Sequence, residues 1–168
     1  DEGGNDDGNG DNNGDDNGTN VPGVGEYESD SIFVCSVDDS TNAAYSLGTT
    51  TIGGEAVTGF KLGKSKQAGK FTSGAVGVSG DKYLNFYAVG WKGNSTTLEF
   101  SVNGSVVTTQ AVVANDGASG NAPYTMTVTA SDCYTFSLPS ALTAETTVTV
   151  KTTGSYRAIM FGINAYTK

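Results

Sequence analysis

Asn103-Gly104 lies between two runs of strand-forming residues, Thr96–Val102 and Ser105–Val113, and in the first of them Leu98, Phe100 and Val102 alternate with polar or small side chains. A period of two puts every second side chain on the same face of a strand, and Asn-Gly supplies the two positive-φ positions of a type I′ turn. This stretch therefore predicts an antiparallel hairpin with one apolar face. A face of that kind is covered most simply by a second sheet.

The same pattern recurs from residue 31 onward. Ser31–Val37, Glu55–Leu62, Lys70–Val78, Tyr83–Trp91, Tyr124–Ala130, Cys133–Leu138, Glu145–Thr152 and Tyr156–Asn164 join the hairpin to make about ten strands. Tyr134, Phe136 and Leu138 alternate, as do Val148 and Val150, whereas Tyr83–Trp91 is apolar on both faces and belongs at the centre of its sheet. Thr, Val, Gly, Tyr and Ser dominate, and helix-favouring runs of Leu, Glu, Lys and Ala are missing. The expected fold class is all-β: a two-sheet antiparallel β-sandwich, jelly-roll-like, with little or no helix. At 168 residues the chain suits one domain, over 21–168.

Residues 1–20 hold seven of the 18 acidic residues, no basic one and no apolar side chain. Such a segment has nothing to bury against its ordering entropy and reads as an acidic Gly/Asn/Asp-rich linker. A calcium loop is the competing reading, from the spacing Asn9-x-Asp11-x-Asn13-Gly14 and Asn13-x-Asp15-x-Asn17-Gly18. The twelfth position, where a bidentate Glu belongs, is Asn20 in one register and Val24 in the other, so no metal site and no cofactor is assigned. Without the linker, the formal charge of −9 shrinks to −2, from 11 acids against nine bases. Nothing resembles the basic face that nucleic acid requires, and no apolar run approaches the ~20 residues of a membrane helix.

Catalysis is not expected. The chain has no histidine, which removes the usual general base and the commonest metal ligand. Gly63-Lys64-Ser65 lacks the first glycine of a phosphate-binding loop, since Thr58 stands there, and Ser79-x-x-Lys82 falls on a turn without companion motifs. Asp81, Glu99, Asp116, Asp132 and Glu145 fall mostly at turns or strand ends, as solvated charges do. Cys35 and Cys133 show no metal-ligand spacing; they fit either one disulfide in an oxidising compartment or two buried thiols. Cys133 alternates opposite Tyr134 and Phe136.

The aromatic residues carry the remaining signal, because flat rings beside amides suit the C–H faces and hydroxyls of sugars. Tyr83, Tyr87 and Trp91 share one face of the central strand, where packing is their simplest role, while Tyr45, Tyr124 and Tyr156 lie near strand ends. The long polar loop Ala114–Pro123 has the character of a ligand loop. Asn115, Asp116, Asn121 and Tyr124, with Trp91, are the candidate ligand-binding residues. Lys61, Lys64, Lys66 and Lys70 form a basic cluster that reads first as a solvated hairpin and second as a contact for an anionic glycan.

FKLGKSKQAGKF, LNFYAVGWKG, ANDGASGNAPY, DCYTFSL and YRAIMFGINAY together resemble a β-sandwich module of secreted or lipid-anchored surface proteins from anaerobic gut bacteria, over about residues 31–166. The resemblance implies a jelly-roll shape like that of carbohydrate-binding modules, a place outside the cell or on its outer surface, and no catalytic motif. Its implied partner is a glycan or a surface protein, and a monomer is expected rather than an obligate oligomer. A non-catalytic glycan-binding module is the first expectation; a structural or adhesive domain without a sugar site is the second.

Overall fold

Alternation in the sequence becomes alternation of burial. The computed structural model describes residues 27–29, 38–47, 50–52, 54–74, 80–121, 124, 126–154 and 156–167, and eleven strands run through them. They are β1 Ala44–Ser46, β2 Thr50–Ile52, β3 Glu55–Val57, β4 Gly59–Leu62, β5 Lys70–Gly74, β6 Tyr83–Gly90, β7 Thr96–Val102, β8 Ser105–Val112, β9 Cys133–Ser137, β10 Thr147–Thr152 and β11 Ala158–Tyr166. A five-stranded sheet has the order β1-β4-β11-β6-β9, a four-stranded sheet the order β5-β10-β7-β8, and β2 and β3 pair apart from both. Every pairing between these strands is antiparallel. The helical content of the described residues is one 3-10 turn at Ala130–Asp132. No helix there is long and apolar enough to cross a membrane.

The expected hairpin is present: β7 and β8 pair around Asn103 and Gly104, whose φ values of 49° and 83° are both positive. Leu98 and Phe100 of β7 and Val148 and Val150 of β10 face Phe60 and Leu62 of β4, Leu84, Phe86 and Ala88 of β6, and Met160 of β11 in one core between the sheets. Its rings interlock across the gap, Phe86 to Phe100 at 5.0 Å, Phe100 to Phe136 at 4.8 Å and Phe60 to Phe71 at 4.5 Å between centroids. Burial of the enclosed rings Phe60, Phe86 and Phe100 contributes about 1.5–3 kcal/mol each. The outer face of the four-stranded sheet is polar, with Thr72 and Thr149 sharing a hydrogen bond at 2.9 Å and Lys151 paired to Glu99 at 3.0 Å.

The five-stranded sheet is covered on its other face as well. Tyr87 and Val89 of β6, and Ile159 and Phe161 of β11, point away from the sandwich into a second cluster with Tyr27, Leu47, Ile52, Val57, Ala118, Tyr124 and Met126. Tyr87 and Phe161 stack at 5.3 Å, and Tyr27 meets both edge-on. This explains why β6 is apolar on both faces, as its sequence predicts for a central strand. A register shift between Phe161 and Asn164 then returns Ile163 to the inner core.

Two expectations need correction, and two short strands are added. Glu55–Leu62 is two strands: β3 pairs with β2, and β4 joins the large sheet. Gly59 marks the switch, because a Cβ there would run into the Met160 carbonyl oxygen and lie 2.6 Å from Phe161 Cα. Tyr124–Ala130 is not a strand among its described residues. Tyr124 and Met126 bury themselves in the outer cluster, and the segment ends at the 3-10 turn, where Thr129 N–H donates to Asp132 Oδ2 and Asp132 N–H to the Thr129 carbonyl, both at 3.0 Å. Finally, β1 and β2, of three residues each, went unmarked because they are too short to show a period. The linker and calcium readings of 1–20, the strand Ser31–Val37, Cys35, and the end of Lys70–Val78 beyond Gly74 lie outside the described residues.

Candidate functional site

Trp91 stands where β6 runs out. Its N–H donates to the Arg157 carbonyl at 2.9 Å, and its own carbonyl accepts from Asn94 N–H at 2.9 Å. The preceding Gly90 is bonded on both sides, N–H to the Val113 carbonyl at 2.7 Å and carbonyl from Asn115 N–H at 3.0 Å, and Lys92 N–H donates to Ala118 at 3.0 Å. Backbone bonds to two neighbouring segments thus fix the base of the indole.

The half-buried ring is held by unlike neighbours. Tyr124 meets it edge to face at 6.2 Å and 81°, from the side of the outer cluster. Arg157 Cζ lies 5.2 Å from the ring centroid and Lys61 Nζ 5.1 Å from it. Lys61 also lies 5.0 Å from the ring of Tyr45, so one ammonium serves two aromatic faces. Burial, and then the charge of Arg157, hold the Lys61 amine below its usual range, partly offset by Asp38.

In front of the indole is an open depression of about 230 Å³, lined by Ser65, Lys66, Trp91, Asn94, Tyr156 and Arg157. Three connections build it: the β4–β5 turn, the β6–β7 turn and the approach to β11. The first is closed by Lys64 N–H to the Gln67 carbonyl at 3.1 Å and Gln67 N–H to the Lys64 carbonyl at 3.0 Å, with Lys66 at φ 61°. Tyr156 is 52% exposed. The lining therefore combines two aromatic rings, a carboxamide, a hydroxyl and two cations, without a carboxylate or thiol.

Of the expected ligand residues, the structure brings the rings of Trp91 and Tyr124 together and holds Asn115 by its backbone against Gly90, but only Trp91 lines the depression. Tyr124, expected near the surface, is only 8% exposed; its ring packs at right angles to the indole, and burial pushes its phenol pKa up. Both ends of the Asn115 amide are engaged, Oδ1 accepting from Gly117 N–H and Nδ2 donating to the Thr127 carbonyl, each at 3.0 Å. Asp116 and Asn121 are exposed, but neither lines the depression. Tyr87 is fully buried and Tyr83 stacks on Tyr166 at 5.3 Å, so packing is their role.

The lysine cluster separates into different functions. Lys64 Nζ donates to the Ser40 carbonyl at 2.7 Å, Lys70 is exposed on β5, Lys66 is on the rim, and Lys61 is against the indole. Arg157 and Asn94 are the residues that sequence reasoning missed. Asn94 follows Trp91 in the same turn, while Arg157 becomes visible only when the last strand is paired beside Tyr83–Trp91. Cys133 carries a free thiol whose Sγ lies 3.3 Å from the Asn85 Nδ2 donor. Cys35, its candidate partner, is outside the described residues.

No protein-family model matches the chain, and no curated protein matches it. Among solved structures it is similar to a carbohydrate-binding module, CBM36, in complex with calcium and xylotriose, with a TM-score of 0.32 at 9% identity over 62% of this chain and 77% of that one. It is also similar to the CBM36-1 domain of a multidomain xylanase from the hindgut metagenome of Trinervitermes trinervoides, with a TM-score of 0.33 at 11% identity over 70% and 90% of the two chains.

Proposed function

We propose that this domain binds carbohydrate, without turning it over, in the depression in front of Trp91. The observation that carries this reading is an indole anchored through its backbone and packed against Tyr124, next to the exposed Tyr156 and the Asn94 amide. A fixed aromatic face covers the apolar face of a pyranose at little entropic cost, and amides then select hydroxyls. The lining has no pair of carboxylates for glycoside hydrolysis.

Trp91 is the one tryptophan of the chain, so its fluorescence reports the site directly. A glycan array on the purified domain, followed by fluorescence titration, is expected to find a ligand that shifts this emission. Trp91→Ala should weaken that ligand by about 2 kcal/mol or more, the loss typical of a hot spot. Lys64→Ala should leave binding unchanged, since its amine is occupied by Ser40. A folded Trp91→Ala variant that binds like the parent overturns the site.

The second reading, an adhesive or spacer domain, is favoured by β8. This strand ends one sheet and exposes Val106 at 59%, while Val113 just beyond it is exposed at 60%. An array without any ligand would favour that reading.

A further inference from the structure

We infer that the saccharide is acidic, its carboxylate or sulfate group docking on Arg157 and Lys66 beside Trp91. This rests on the carbohydrate reading and narrows it to a ligand class.

The first ground is the sign of the charge. Outside the acidic segment 1–20 the chain is formally −2, from 11 acids against nine bases, yet both charged residues that line the depression, Lys66 and Arg157, are cations, and Lys61 adds a third beside the same indole. The second ground is their lack of partners. Among the described residues the ion pair is Lys151 with Glu99, on the other sheet, and no carboxylate pairs with Lys61, Lys66 or Arg157. Asp38, which acts on Lys61 from a distance, has its Oδ1 engaged by Ser46 N–H at 2.9 Å.

The third ground is the cost of the arrangement. Arg157 and Lys61 crowd one ring, their cationic groups 5.2 and 5.1 Å from its centroid, and the Lys61 amine is lowered by burial first and by the charge of Arg157 second. An anion in front of the ring relieves the repulsion. A guanidinium lying against an aromatic ring still presents its N–H fork to the planar oxygens of a carboxylate or to a sulfate. Arg157 makes no side-chain hydrogen bond among the described residues that would occupy this fork.

The test uses the whole chain and the Trp91 emission, with four probes: oligogalacturonate for carboxylate, chondroitin sulfate oligosaccharides for sulfate with carboxylate, and neutral xylo- and cello-oligosaccharides. At least one acidic probe is expected to bind roughly 10-fold or more tightly than the neutral ones, with an advantage that shrinks as salt rises. Arg157→Gln and Lys66→Gln should each remove most of that advantage. If Arg157→Gln does not fold, Lys66→Gln on the exposed rim carries the same test. Tighter oligogalacturonate identifies a carboxylate as the docked group, and tighter chondroitin sulfate a sulfate; both support the inference. Neutral probes binding as well as acidic ones, through Trp91, would overturn the acidic ligand and keep the carbohydrate site. Acidic binding indifferent to both substitutions would overturn it as general charge attraction. Binding to no probe would remove both.

Discussion

Gly63 lies against Arg157 so closely that a Cβ on the glycine would come within 3.2 Å of Arg157 Cγ and 3.3 Å of its Cα. Gly63 also has φ +93°, which other residues rarely adopt. The basic side chain of the candidate site thus occupies room left by an absent side chain. Gly63→Ala is expected to cost about 1–3 kcal/mol in denaturant unfolding and to shift the Trp91 emission as Arg157 moves. An unchanged emission spectrum would show that Arg157 does not depend on this glycine.

Tyr27 contrasts with the acidic segment before it. Its ring is 8% exposed and meets Tyr87 at 5.1 Å and Phe161 at 5.4 Å, and its carbonyl accepts from Thr58 N–H at 3.0 Å. Tyr27→Ala should destabilise by about 3–5 kcal/mol. Deletion of residues 1–20, which hold no apolar side chain, should leave the thermal midpoint nearly unchanged. A large drop in the truncated chain, or stabilisation by calcium that only the full chain shows, would replace the linker with a metal site.

High pH should weaken the fold. Burial raises the phenol pKa of Tyr27, Tyr124, Tyr134 and Tyr166 above the ordinary value near 10. Below that pH both folded and unfolded chains keep these protons, so stability does not depend on them. As pH climbs from there toward the folded pKa values, the unfolded chain loses protons first and stability falls. Lys61, lowered in the fold, acts in the opposite direction up to its unfolded pKa, but it is one group against four. Thermal melts are expected to drop above about pH 10, and tyrosinate absorbance should appear later in folded than in unfolded protein. A midpoint that holds steady through that range would contradict the burial of these phenols.

Thr96 opens β7 with a hydroxyl that is buried and has no hydrogen-bond partner among the described residues. Thr96→Val removes the unpaired group and keeps the shape, so it should stabilise by ~1 kcal/mol. A loss of stability in urea unfolding would show that the hydroxyl is satisfied in solution.

The extent to which the sequence predicts this structure follows from the range of the interactions. Asn103-Gly104 and the alternation of Leu98, Phe100 and Val102 are local, and they mark the hairpin correctly. The apolar faces of Tyr83–Trp91 are also local, and they place β6 between two clusters. Tyr124 and Met126 alternate like a strand, yet they pack across the outside of a sheet that only the tertiary fold creates. The site shows the same division. Trp91 stood out by its chemistry, while Arg157 reaches it through the pairing of β6 with β11, where Ala158 faces Gly90. No spacing along the chain encodes that neighbourhood.

The two clusters share the strands β6 and β11 but are closed differently. The inner one is sealed between two full sheets, the outer one by three-residue strands, a 3-10 turn and loops. Segments with few ladder bonds open at lower free energy than the strands beneath them, so amide protons of the outer covering should exchange first. Trp91 and Tyr124 stand at that boundary. A ligand seated on the indole would therefore slow exchange in the covering and leave the inner strands at their own rate, making occupancy of the site readable as protection of the layer behind it.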